Sequence, residues 1–106
     1  MNFGEAIERV KTRSYIARRA NWDNDVFIFA QVPADINEET IPKMQSLPEV
    51  VKREITEVGI TSLSYQNQIC KFDNGDITYY TPTGDEIFAE DWKTKSDNTL
   101  AKWEYL

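Results

Sequence analysis

Asn74-Gly75, set between strand-forming runs at Thr61 to Phe72 and Asp76 to Thr81, constrains the fold of this chain more than any other feature. A two-residue hairpin loop matches the twist of its strands when the loop residues take positive φ, and Asn-Gly adopts that conformation at little cost. The C-terminal half is therefore read as antiparallel. Val26-Phe27-Ile28-Phe29-Ala30-Gln31-Val32 is rich in β-branched and aromatic residues and stops at Pro33, which makes it the central strand candidate. Tyr15-Ile16-Ala17 reads as a short strand and Asp23-Asn24-Asp25 as a polar turn. After a further turn at Pro82-Thr83-Gly84-Asp85, one helical turn at Glu86 to Ala89 leads to a last strand around Asp91 to Lys93.

Helical signals occupy two places. Asn2 is an N-cap with Glu5 at the third helical position, and Phe3, Ala6, Ile7 and Val10 recur at helical spacing, which predicts a helix over about residues 3 to 12. Ser46-Leu47-Pro48-Glu49 has the Ser-x-x-Glu capping spacing. It opens a second helix with Leu47, Val50, Val51, Ile55 and Val58 on one face and Gly59 at its end. Pro33 to Gln45, with two prolines and little periodicity, reads as a surface loop that does not pack deeply. The fold class that follows is α+β: a small antiparallel β-sheet with an N-terminal helix and an inserted second helix. Residues 1–93 are read as a single domain and 94–106 as a C-terminal tail, frayed or pinned by Trp103 and Tyr105.

A chain of 106 residues suits one core of modest burial, which assembly with other copies would help. No apolar run approaches the ~20 residues of a membrane span, and a helix carrying Glu5 and Glu8 is unlike a signal peptide, so a cytosolic protein is expected. Cys70 is the sole cysteine and makes no internal disulfide, in keeping with a reducing compartment. The net charge of −6 repels nucleic acid at long range. Small anions remain within reach, because a pocket needs only two or three local donors.

The residue inventory argues against catalysis. There is no histidine, which removes Ser-His and Cys-His nucleophile pairs and imidazole metal ligands. Lys71, next to Cys70, points to the opposite face of a strand, and Cys70 reads as structural. Glu90 and Asp91, placed on a strand, also diverge, so no acid/base pair is formed. No enzyme activity, metal or cofactor is expected. Binding is better supported: Trp22 lies in a polar turn near Arg18 and Arg19, and a flat ring with guanidinium donors is what a phosphorylated nucleobase requires. The structural alternative is a tryptophan that lids the core while both arginines stay solvated. Of Tyr79 and Tyr80, successive on a strand, one should face the core and the other a surface or cleft. Trp92 reads as core.

Asn2-Phe3-Gly4-Glu5-Ala6-Ile7-Glu8, Ile16-Ala17-Arg18-Arg19-Ala20-Asn21-Trp22 and Ala89-Glu90-Asp91-Trp92 together resemble a family of small phage proteins, the anti-Thoeris signal sponges. Members begin with an N-F-G-E-A-L-E-like helix and an A-R-x-x-W-N-G-like turn and finish with L-A-E-D-W. The similarity runs in order from residue 3 to 92, and Gln45-Ser46-Leu47-Pro48-Glu49 matches longer members with an inserted helix. The resemblance implies a homo-oligomer, typically a tetramer built around antiparallel sheets. It further implies sequestration of a cyclic ADP-ribose-type signal in pockets between protomers, in the cytoplasm of the infected bacterial host. Some members also take up cyclic dinucleotides at a separate site. One was first reported as an anti-CRISPR, which makes inhibition of a CRISPR nuclease the alternative function.

Carried across residue by residue, the resemblance implies that Trp22 stacks on adenine and that Tyr80 forms the other wall. Arg18 or Arg19 would meet phosphate oxygens, Asp91 would accept hydrogen bonds from base or ribose, and Thr83 would add a contact from its polar turn. The chain departs from the pattern around Trp22. The stretch from Ala17 to Trp22 is one residue longer than usual, that from Trp22 to Phe27 one shorter, and Asp23-Asn24 replaces Asn-Gly. Losing a glycine that permits positive φ reshapes the turn and bears on ligand preference.

Overall fold

The computed structural model describes residues 1–105. In chain order its elements are α1 (Phe3–Lys11), β1 (Tyr15–Arg19), β2 (Val26–Ala30), β3 (Ala34–Asn37), a 3-10 turn at Ile41–Lys43, α2 (Glu49–Glu57), β4 (Ser62–Tyr65), β5 (Ile69–Asp73), β6 (Asp76–Tyr79), α3 (Gly84–Phe88) and β7 (Trp92–Ser96). They fall into two compact units, one from Met1–Gln31 with the chain from Asn67 on, the other Val32–Gln66.

The first unit is an antiparallel five-stranded sheet ordered β6-β5-β2-β1-β7. Directly opposed residues share a face, and the next residue along each strand switches it. Ala17 stands opposite Ile28 and Thr94, Arg19 opposite Trp92, and Ile28 opposite Lys71, so these residues share one side. α1 lies on that side. Asn2 Oδ1 accepts from the Glu5 amide at 2.8 Å while Glu5 Oε1 accepts from the Asn2 amide at 3.2 Å, a reciprocal cap that starts the helix. One turn and two turns on, Ala6 and Val10 meet Ala17, Ile28, Trp92 and Met1 to form the buried core, and Arg9 donates across to Thr94 Oγ1 at 3.0 Å. On the opposite side Phe27 stands over Phe72, Phe29 opposite Cys70, and Arg18 opposite Lys93. In the second unit β3 pairs antiparallel with β4, and Lys52 of α2 donates to the Pro42 carbonyl at 3.0 Å.

The α+β class and the N-terminal helix hold. So does the hairpin: Asn74 and Gly75 take φ of 50° and 98° between β5 and β6. Other readings need correction. Pro33 to Gln45 is not a plain loop, since β3 and the 3-10 turn lie within it and Ile41 is buried. A four-residue strand carries little periodicity of its own, and pairing with β4 supplies the stabilisation that local propensity lacks. Thr61 to Phe72 is not one strand, because Gln66-Asn67-Gln68 breaks it into β4 and β5, which belong to different sheets. Ser46 does not cap α2. Pro48 holds the cap position without a side-chain bond, while Gly59, at φ 78°, ends the helix as read. The apolar face of α2 stays largely outside, with Val50 and Val58 exposed. Strands β1 and β7 run further than expected, and Glu90 and Asp91 precede β7 rather than lie on it. The tail is pinned at Glu104, which bridges Thr94. Leu106, included in the tail reading, lies outside the described residues.

Candidate functional site

Arg19 and Asp91 form the centre of the polar groups on the helix side. β1 carries Arg19 opposite Trp92, and the residue before Trp92 brings its carboxylate alongside, with Nε to Oδ1 at 2.5 Å and Nη2 to Oδ2 at 3.3 Å. The Ala20 amide donates to the Asp91 carbonyl at 3.2 Å and fixes the backbone on both sides of the pair. The Arg19 hydrogen bond holds the Asp91 carboxyl below its ordinary range, and the same bond raises the guanidinium. A two-pronged pair of this kind is rigid. In this conformation Arg19 gives two of its five N–H donors to Asp91.

A second cluster grows from α3. Thr83 caps the helix by accepting from the Glu86 amide at 3.2 Å, and Glu86 Oε1 accepts from the Thr83 amide at 2.9 Å and from the Tyr80 hydroxyl at 3.0 Å. The Trp92 indole donates to the Glu86 carbonyl at 2.9 Å. Burial, then the hydrogen bond to Glu86, raises the Tyr80 hydroxyl above its ordinary pKa. Tyr80 packs against the core while Tyr79 is 64% exposed, so the successive tyrosines divide as expected.

Trp22 stands at the edge of this framework. Its amide donates to the Arg19 carbonyl at 3.1 Å, and the resulting turn lays the half-buried ring edge-on against Trp92 at 5.2 Å and 76°. Lys71 Nζ lies 4.6 Å from the Trp22 ring centroid. Asn21, Trp22, Asp23, Val26, Lys71 and Asp73 line an open cleft of about 260 Å³.

The structure thus gathers Trp22, Arg19, Asp91, Tyr80 and Thr83 on the helix side and sends Arg18 to the other. Alternation along β1 is the reason, since adjacent residues cannot face one way. Arg18 is buried there, donating to Asn24 Oδ1 at 3.1 Å and the Asp23 carbonyl at 3.4 Å. The expectation that both arginines stay solvated fails for Arg18. Sequence reasoning missed Lys71, read only as a neighbour of Cys70, and Glu86. The Thr83-x-x-Glu86 spacing is a capping-box signal that would have found the second. Among the described residues no His, Cys, Asp or Glu side chains gather as a metal site, and no helix is long and apolar enough to cross a membrane.

The geometry defines a small α+β sheet domain with a ring-and-cation cleft. The chain belongs to the Tad2-like family: the Thoeris anti-defense 2-like domain matches residues 1–94. Membership supports a role in evading Thoeris defence. Among curated proteins none matches the chain significantly.

Proposed function

We propose that the protein is a non-catalytic sponge that takes up a cyclic ADP-ribose-type immune signal in the host cytoplasm and keeps it from the effector that awaits it. What supports this reading, beyond family membership, is the Trp22–Lys71 pair. A tryptophan wall with a cation 4.6 Å from its centroid offers a stacking surface for a base and a counter-charge for the attached phosphates. Arg19 and Asp91 fix the turn from which Trp22 projects, and the Tyr80–Glu86–Thr83 cluster holds Trp92 behind it. These residues shape the cleft. They contact the ligand only if it displaces one member of a pair.

At about 260 Å³ the cleft is smaller than the roughly 300 to 1,000 Å³ usual for ligand pockets. A second copy is therefore proposed to supply the remaining walls, in a homo-oligomer expected to be a tetramer. Sequestration needs only affinity, copy number and a slow off-rate. The test is to incubate the protein with cyclic ADP-ribose isomers and cyclic dinucleotides, isolate it, heat-denature it and identify what is released. Intact cyclic ADP-ribose-type ligand is expected. Linear ADP-ribose would establish an enzyme, and no nucleotide at all, with co-elution of a CRISPR nuclease, would establish the alternative function. Sedimentation at micromolar concentration should show an assembly, whereas a stable 12.3 kDa monomer would contradict a pocket shared between chains.

A further inference from the structure

On the sheet face away from α1, Arg18 and Lys93 stand directly opposite each other on β1 and β7, and both are buried, at 7% and 9% exposure. Like charges in that relation repel, and a buried charge ordinarily has a counter-charge. Here there is none. The ion pairs among the described residues engage Arg9, Lys11, Arg19 and Lys52. Arg18 donates from Nη1 to Asn24 and Asp23, but its Nε is shielded from solvent and lacks any acceptor.

Aromatic rings of the C-terminal segment lie against both cations. Backbone hydrogen bonds of 2.9 and 2.7 Å between Thr94 and Glu104 lay this segment along β7. Alternation then sends Glu104 towards Arg9 on the helix side and Trp103 and Tyr105 to the other face. The Trp103 ring centroid lies 4.3 Å from the Arg18 guanidinium carbon. Lys93 Nζ is 5.1 Å from the Tyr105 ring and 3.3 Å from its hydroxyl. Ring faces offset part of the charge but accept no hydrogen bond from Nε. Residues 95–106 lie beyond the stretch that the family domain matches.

We propose that Arg18 and Lys93 form an oxyanion site for a phosphate or pyrophosphate group, with residues 97–105 as a strap that Trp103 and Tyr105 hold shut. The guanidinium offers Nε and the ammonium offers its N–H donors to separate oxygens of one anion, which also removes the repulsion between the two cations. Because Nε is shielded, entry requires Trp103 to leave the guanidinium, so binding and strap movement are coupled. The site is on the opposite sheet face from the Trp22 cleft and does not depend on the sponge reading.

The experiment titrates pyrophosphate and ADP, in parallel, into the full-length protein while following its three tryptophan indole N–H resonances. Saturable binding of pyrophosphate should move the Trp103 resonance and leave that of Trp22 in place. Lys93→Gln should weaken the binding that moves Trp103 at least tenfold. A Trp103 shift with pyrophosphate alone marks the free anion as the occupant and one with ADP alone a nucleotide, either of which supports the site. Should Arg18→Gln fail to fold, Lys93→Gln and Trp103→Ala still decide. No saturable shift of Trp103 with either ligand, or an undiminished one in Lys93→Gln, would overturn the proposal.

Discussion

The two faces of the five-stranded sheet are built from alternate residues of the same strands, yet they treat charge in opposite ways. On the helix side every singled-out polar group has a partner: Arg19 holds Asp91, Glu86 receives Tyr80 and Thr83, and Trp92 donates to a carbonyl. On the far side Arg18 and Lys93 face each other with rings, a hydroxyl and turn acceptors around them among the described residues, on the same face as the stacked Phe27 and Phe72 at 4.9 Å. The helix side is stiffened so that Trp22 can project from it. The far side keeps unspent charge and exposed apolar surface, with Ile77 62% exposed. A helix over one face thus goes with paired polar groups, and the far face sets two buried cations under the rings of the C-terminal segment.

The largest expected effect of breaking this division is at Trp92. Its side chain is fully buried, touches the rings of Phe3 and Trp22 and donates to Glu86, so Trp92→Ala should cost about 3 to 5 kcal/mol of stability in chemical denaturation. Tyr80→Phe comes next, at roughly 1 kcal/mol for one lost hydrogen bond on a buried carboxylate. This substitution also has a signature in pH. The folded-state pKa of Tyr80 is raised, so the neutral-form stabilisation is complete below its unfolded value and is lost as pH rises towards the folded value. Wild type should therefore lose more stability than Tyr80→Phe in titrations above about pH 10, the ordinary tyrosine value.

Asp91→Asn should cost about 1 kcal/mol or less at neutral pH, because the Asp91 side chain is 41% exposed and the pair is partly screened. The sign at low pH is the reverse of that for Tyr80. The folded pKa of Asp91 is lowered, so its contribution is present above the unfolded value, about 3.9, and disappears as pH falls through the folded value. The gap between wild type and Asp91→Asn should close in acid. The smallest effect is expected on the far face, where Ile77→Ala should stay within about 0.5 kcal/mol.

What was legible in the sequence follows the same division between local and long-range causes. The reciprocal cap of Asn2 and Glu5, the Asn74-Gly75 hairpin, the stop at Gly59 and the burial of Trp92 rest on signals within a few residues of one another. β3 could not be read, because four residues acquire a strand only by meeting β4, nearly thirty positions away. The side assignments of Arg18 and Arg19 were in principle available from strand alternation, once β1 was known to reach Arg19 rather than end at Ala17. Their partners were not. Asp91 lies seventy-two residues from Arg19, and Trp103 meets Arg18 only because the tail bridges Thr94. Lys71 went unrecognised at the cleft because its place there depends on register across β2, which no local pattern carries.

Trp22 joins the stiffened framework to the proposed cleft, so one substitution read two ways bears on the central claim most directly. Trp22→Ala should be measured for melting temperature and for affinity towards the cyclic ADP-ribose isomer that the wild-type protein retains. A half-buried ring against Trp92 should cost less stability than Trp92→Ala itself, and the variant should remain folded. Affinity should fall roughly 5- to 150-fold, the worth of about 1 to 3 kcal/mol for a base stacked on an aromatic side chain. A fall in melting temperature as large as that of Trp92→Ala, with undiminished affinity in the folded fraction, would contradict the account and return Trp22 to the core as a lid.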